Sequence, residues 1–378
     1  MQPLNSQKRI SNGVNKYLAK FCEKLPELKC DAFLVLNANN VQYLSGFTGG
    51  DSFLLVTPKK SFLITDFRYI IQAQEEITDK DIKIIRHKDG LLAQVAEMLN
   101  SHKYGRLKRL AFESVFINLA SYNELKKLVK KHIRLVPTQG AIESLGAIKT
   151  PEEIAKLRVA IKCAADGFNK IRGFIKPGIS EKEISNEMDY TMRKYGAEGS
   201  AFGTIIAIDE RAALPHAPVS DKKVTKDCAV LIDWGARVSG YNSDTTRVLF
   251  RGKISPLAKK IYAIVLEAQK RAIAKCRPGA VIKDIDAAAR DYITQKGYGK
   301  YFGHSLGHGV GRLVHEQPRI TSKNKETLKP NMVFTVEPGI YLPGKVGIRI
   351  EDMVLVTAHG CEVMTRMLPK ELPDMRLR

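Results

Sequence analysis

CAVLIDWGARVSGYNSDTTRVLF, residues 228–250, places one acidic residue at the end of an apolar run and another near the start of the next. Cys228–Ala236 and Tyr241–Phe250 read as two strands joined by Arg237-Val238-Ser239-Gly240. Opposed residues of an antiparallel hairpin share a constant index sum, so pairing Asp233 with Asp244 centres the turn between Val238 and Ser239, inside that loop. The two aspartates are therefore expected to stand opposite each other on one face. Opposed carboxylates repel unless a cation lies between them. Taken singly, each would be an ordinary surface or turn aspartate, but Asp233 closes the run Ala229-Val230-Leu231-Ile232. A charge seldom sits in so apolar a strand without a partner.

A second pair follows the same rule. Met332–Glu337 and Val346–Val356 flank Pro343-Gly344-Lys345, and pairing Glu337 with Glu351 centres a hairpin on Gly344. Four inward carboxylates on two hairpins suit a pair of divalent cations. Between the hairpins lies Gly303-His304-Ser305-Leu306-Gly307-His308-Gly309-Val310-Gly311. Glycines at alternate positions 307, 309 and 311 oppose a helix and favour an extended, closely packed strand. No Lys-Ser/Thr follows, and the spacing fits no dinucleotide fingerprint, so a phosphate loop is the lesser reading. A lone His308 would be a core residue; the carboxylates raise it to a ligand. Oxygen-rich ligation with one imidazole and no thiolate favours manganese, cobalt, iron or zinc over copper. Two such ions, about 3.5–4 Å apart, would acidify a shared water and polarise a carbonyl, which is hydrolytic chemistry.

The 378 residues predict two domains. Short apolar runs (Ala32–Leu36, Ser52–Thr57, Ser61–Thr65, Ile82–Ile85) alternate with helical patterns (Leu91–Leu99, Leu119–Lys131), giving a small N-terminal α/β domain over 1–148. Thr150-Pro151-Glu152-Glu153 then reads as a helix start with a capping box, opening a long helix to about Phe174 and a second domain over 149–378. That second part echoes itself. Lys176-Pro177-Gly178, a helical stretch, Gly196 and Phe202-Gly203 recur about 100 residues later as Arg277-Pro278-Gly279, a helical stretch, Gly297 and Phe302-Gly303. A duplicated αβ unit with its two halves around one cleft is expected, and the carboxylate hairpins fall on equivalent strands.

The net charge of +21 invites a nucleic-acid role, but residues 1–150 carry 23 basic and 14 acidic side chains, a net +9 that leaves +12 for the rest. An excess so evenly spread is not a binding tail. Lys126, Lys127, Lys130 and Lys131 interleave with Leu125, Leu128 and Val129 at helical spacing, as on a solvated helix face. The six cysteines are scattered, without a CxxC pair, and read as reduced. No apolar run approaches the roughly 18–20 residues that span a bilayer, and Met1–Tyr17 lacks the apolar core of a secretory signal, so a cytoplasmic location is expected.

These motifs resemble the pita-bread metallopeptidases, the family of aminopeptidase P, prolidase, methionine aminopeptidase and the metal-free creatinase. Ile232-Asp233-Trp234-Gly235, Ser243-Asp244-Thr245-Thr246-Arg247, Gly307-His308-Gly309, Val336-Glu337-Pro338-Gly339 and Arg349-Ile350-Glu351-Asp352 fall in order on the family's five metal-ligand motifs. Asn40-Val41-Gln42-Tyr43-Leu44-Ser45-Gly46-Phe47 looks like the creatinase-type N-terminal domain. The resemblance implies an α+β fold, a duplicated pita-bread domain behind that smaller domain. It implies two divalent metals per subunit, most naturally manganese, held by Asp233, Asp244, His308, Glu337 and Glu351. It also assigns His216 and His315 as substrate-facing histidines, His304 to the proline side of the substrate, Arg349 to a supporting role and Glu337 to proton transfer. Arg312-Leu313 departs from the Leu-Glu common in relatives, at the pocket rim. Methionine aminopeptidases usually lack the N-terminal domain and creatinase lacks the ligands, so the expected activity is that of an Xaa-Pro aminopeptidase acting on peptides with proline second. An Xaa-Pro dipeptidase is the alternative, a non-catalytic binding protein of the same fold the lesser one. A homodimer is implied by resemblance alone.

Overall fold

Apolar residues on both faces of a strand demand cover on both sides, and the N-terminal sheet is built this way. The computed structural model describes residues 15–101 and 107–377; residues 1–14, on which the reading of the chain's start rests, lie outside them. The chain divides into two units, 1–145 and 146–378. In the first, strands β1–β6 (Ala32–Val35, Phe53–Val56, Ser61–Thr65, Ile82–Arg86, Arg109–Glu113, Arg134–Thr138) form one mixed sheet in the order β4-β3-β2-β1-β5-β6. Phe33 and Val35 pack with Phe21 and Leu44, from α1 (Lys16–Lys24) and α2 (Ala38–Ser45). Ala32 and Leu34 pack with Val95, Leu99 and Leu125 on the other face, from α4 (Leu91–Asn100) and α5 (Leu119–Leu128), while α3 (Ile70–Glu76) follows β3. Helix α5 ends at Leu128, short of the expected Lys131, because Val129 turns extended and buries its side chain. Lys126, Lys127, Lys130 and Lys131 are all exposed.

A short helix α6 (Glu143–Gly146) ends as the second unit begins, and in that unit each half opens on a helix pair: α7 (Pro151–Phe174) with α8 (Glu181–Lys194), then α9 (Pro256–Lys275) with α10 (Ile282–Gln295). Thr150 caps α7 through the box the sequence spells, its hydroxyl accepting from Glu153 N while the Glu153 carboxylate accepts from Thr150 N at 2.8 Å. Leu157, Ile161, Ala164, Phe168 and Ile171, spaced by three and four, form its buried stripe. Each of the large ones, Leu157, Ile161, Phe168 and Ile171, contributes about 1.5–3 kcal/mol by its burial.

Strands β7–β12 (Gly199–Ser200, Ile205–Ile208, Cys228–Trp234, Ala236–Val238, Tyr241–Asn242, Thr245–Arg251) belong to the first half, with sheets β12-β9-β8 and β11-β10-β7. Strands β13–β19 (Gly307–Gly309, Glu316–Ile320, Val333–Val336, Gly339–Leu342, Val346–Arg349, Asp352–Val356, Cys361–Val363) belong to the second, with sheets β14-β13-β15-β18-β19 and β16-β17. Close approach of the strands requires glycine along β13: a Cβ on Gly307 would lie 1.9 Å from Thr335 O, and one on Gly309 2.1 Å from Gln317 O. Among the described residues no helix is long and apolar enough to cross a membrane.

The first hairpin departs from the expected register. Asp233 stands opposite Thr246, not Asp244, and the turn is Ser239-Gly240, both with positive φ (49° and 74°), as a two-residue primed turn requires. The shift from residue 244 to 246 is an even step, so the expected face is kept. Asp244 falls just before β12, beside Gly235, whose missing Cβ admits Ser243 O (1.8 Å to an ideal Cβ). The second hairpin has the expected register on both sides of the glutamates, with Val336 opposite Asp352 and Gly339 opposite Arg349.

Candidate metal centre

Each carboxylate sits where a ladder begins or ends: Asp233 near the end of β9, Asp244 before β12, Glu337 after β15 and Glu351 before β18. His308 is the middle residue of β13, which pairs with β15 through Gly309 and Phe334. Asp244, His308 and Glu351, all buried, each bring one ligand atom to within 4.8 Å of the others. His308 Nε2 lies 3.6 Å from Asp244 Oδ2 and 3.3 Å from Glu337 Oε1. Its Nδ1 is 3.1 Å from Gly309 O, and a proton donated there leaves the Nε2 lone pair facing the carboxylates.

The surroundings hold too little positive charge for so many acids. Arg349 Nη2 donates to Asp233 Oδ2 at 2.6 Å, yet Asp233 Oδ1 is buried with no hydrogen-bond partner. Burial, Glu351 and Asp233 drive the Asp244 carboxyl well above its usual range; burial, Glu337 and Asp233 do the same to Glu351. Burial raises Asp233, with Arg349 opposing. Burial also pushes Glu337 up, but the hydrogen bond and charge of His308 outweigh it and hold that carboxyl below its usual range. His308 is pushed down by burial and up, on balance, by Glu337. An orphaned carboxylate oxygen amid mutually repelling acids is what a divalent cation would satisfy, and the donor set of oxygens with one imidazole fits one.

Supporting side chains fix the acids. Thr246 Oγ1 donates to Glu351 Oε2 at 2.6 Å and accepts from Arg349 Nε at 3.0 Å. Thr335 Oγ1 accepts from His308 N at 3.1 Å and lies 3.3 Å from Glu337 Oε1. Arg349 Nη1 donates to the Tyr341 hydroxyl at 2.9 Å, and that hydroxyl meets His304 Nε2, also at 2.9 Å. His304, Tyr341, Arg349 and Asp233 thus form one chain. Burial lifts the Tyr341 phenol to about 12, and lowers His304. His315 is exposed, with its ring 4.3 Å from that of His308; burial of part of the ring, and His308, lower it. His216 is also exposed and is joined indirectly, through Arg349 Nη1 donating to Pro215 O at 3.2 Å. The sequence reading missed Tyr341, Thr246 and Thr335. Thr246 lay within the quoted Asp244 motif, and Thr335 two residues before Glu337; nothing local marked Tyr341.

Residues 155–358 match metallopeptidase family M24, and residues 18–148 the creatinase/prolidase N-terminal domain. The chain belongs to family M24. Its second unit is the pita-bread fold and its first the creatinase-type domain. An Xaa-Pro dipeptidase of Pyrococcus furiosus is 36% identical over 92% of this chain and 97% of its own. Among solved structures, an Xaa-Pro dipeptidase of Bacillus anthracis superposes with a TM-score of 0.90 at 40% identity, covering 96% of this chain and 99% of the other. An X-Pro aminopeptidase of Thermotoga maritima superposes at 0.82 with 39% identity, covering 92% and 99%. Membership of M24 makes this chain a metal-dependent peptidase.

Proposed function

We propose that this M24 peptidase is an Xaa-Pro dipeptidase, releasing proline from dipeptides at a centre of two divalent ions held by Asp233, Asp244, His308, Glu337 and Glu351. The observation that carries it is the convergence of Asp244, His308 and Glu351 beside Glu337, in a chain similar over more than nine-tenths of its length to Xaa-Pro dipeptidases. Those relatives reverse the order expected from sequence, which placed the aminopeptidase first. The Thermotoga aminopeptidase, nearly as similar, keeps that activity as the second reading.

Bound there, manganese or a similar divalent ion would supply an acidified water and an electrophile for the scissile carbonyl. Glu337 takes the proton of the attacking water and returns it to the proline nitrogen as the bond breaks. His315, neutral because its pKa is lowered, donates to the developing oxyanion. Arg349 favours the ionised form of Asp233 against its burial and, through Tyr341, orients His304 toward the proline side.

Hydrolysis of an Xaa-Pro dipeptide is to be compared with that of the matching Xaa-Pro-Xaa tripeptide on the manganese-loaded enzyme. A dipeptidase has kcat/KM for the dipeptide at least about tenfold higher, equivalent to about 1.4 kcal/mol in the transition state. Equal or better cleavage of the tripeptide favours the aminopeptidase, and no cleavage of either sinks both.

A further inference from the structure

The ladder joining β15 to β18 stops at Val336 and Asp352, and the ladder joining β16 to β17 begins at Gly339 and Arg349. In the gap between them stand Glu337 and Glu351. Neither donates its backbone N–H across the gap: Glu337 N goes to Leu306 O at 2.8 Å and Glu351 N to Thr246 O at 3.2 Å. Ile350 N donates to Pro338 O at 3.4 Å, but Pro338 has no N–H to return, so Ile350 O needs another donor, since an unpaired buried carbonyl is costly; Val336 O, opposite Asp352 at the end of its ladder, has a second lone pair open.

Gln269 meets both. Its side chain sits on the buried face of α9, fully enclosed among Val265, Ala268 and Ala272. One amide nitrogen, Nε2, donates to Val336 O at 3.2 Å and to Ile350 O at 3.1 Å, so its two hydrogens span the opening of the hairpin. The amide is oriented from its far side, where Lys370 Nζ donates to Gln269 Oε1 at 2.9 Å and to Asp352 Oδ2. Asp352 in turn receives Arg247 Nη2 at 2.7 Å, and Arg247 Nη1 donates to Glu351 O. In the first half the ladder continues past Asp233 to Trp234 opposite Thr245 before it breaks beside Asp244, and there the preceding helix packs by ring stacking, Phe168 on Trp234 at 4.6 Å. A polar residue among the apolar contacts of α9 thus stands where two backbone acceptors open.

We infer that Gln269 is a positioning residue for the metal centre, setting the separation of Glu337 and Glu351 by clamping the carbonyls that precede them. The inference rests on the metal reading above. Its test is divalent metal binding, measured by calorimetric titration of Mn2+ into chelator-stripped protein and by the visible spectrum of the Co2+-loaded form. Gln269→Met keeps the volume and removes the donors. It is expected to fold and to weaken metal binding about 10–100-fold, the usual effect of losing a group that holds a ligand in place, with an altered cobalt spectrum. Gln269→Asn withdraws the amide by one methylene and is expected to lose part of that affinity; it decides the matter if the Met variant does not fold. Ile285→Val, a core truncation on α10, is the comparison for general loosening. Unchanged metal affinity and spectrum in a folded Gln269 variant overturns the inference, as does an equal loss in Ile285→Val. A wild-type chain that binds no divalent metal sinks the metal reading itself, and the inference with it.

Discussion

Asp244 and Glu351 must both lose their protons to bind a divalent ion, and both are held well above ordinary carboxylates by burial and mutual repulsion. Protons therefore compete with metal at a higher pH than they would at a solvated carboxylate site. Mn2+ affinity is expected to fall as pH drops, beginning at a higher pH than at a solvated carboxylate site, with protons released on binding. Calorimetric titration at several pH values in buffers of different ionisation enthalpy checks this; affinity flat between pH 5 and 8 contradicts it. At this scale the acids and His308 were legible because a charge inside an apolar strand must be matched by a partner of opposite sign. Tyr341 was not. A tyrosine in a strand is ordinary, and its role depends on Arg349 and His304, which only the fold brings to its hydroxyl.

Elements place those residues through close backbone approach. Because Gly307 faces Thr335 O with no room for a methyl, Gly307→Ala should push β13 away from β15 and carry His308 with it. The cost is expected near the upper end of the roughly 1–3 kcal/mol typical of overpacking, read as a lower denaturant midpoint together with weaker metal binding. An unchanged midpoint would show that the strands have slack. In the N-terminal sheet, Glu113 at the end of β5 accepts from Leu36 N at 2.6 Å, Asn37 N at 2.8 Å and Asn40 Nδ2 at 2.5 Å, tying β5 to the start of α2. Burial raises its carboxyl from the ordinary 4.5 to about 7 despite these bonds. A raised folded-state value means the contribution is complete below about pH 4.5 and is lost as pH rises through 7. The swing is about 2–3 kcal/mol for a shift of this size. Thermal melts between pH 4.5 and 8 should fall more steeply for the wild type than for Glu113→Gln, and parallel profiles would refute the assignment. Hairpin register was half legible. The Pro343-Gly344 turn gave the glutamate pairing correctly, whereas Ser239-Gly240 hid a primed turn one position further on, visible only once both φ angles are positive. Index sums locate a turn only when its residues declare their conformation.

At the scale of the whole chain, the echo of two Pro-Gly-helix-Gly-Phe-Gly segments was readable because each half must bury the same helix pair against the same kind of hairpin. Substrate length was not, since no short motif encodes pocket depth. The charge of +21 has no counterpart in the centre described, which is acidic. What unites the two halves is the claim that their four carboxylates and one imidazole hold divalent metal. The most direct test is the number of Mn2+ ions bound per chain after chelation and reloading, counted by equilibrium dialysis with elemental analysis, for the wild type and for Asp244→Asn. Two ions on the wild type and at least one fewer on the folded variant is the predicted result; a wild type that retains no stoichiometric metal, or a variant that binds the same number with the same affinity, would contradict it.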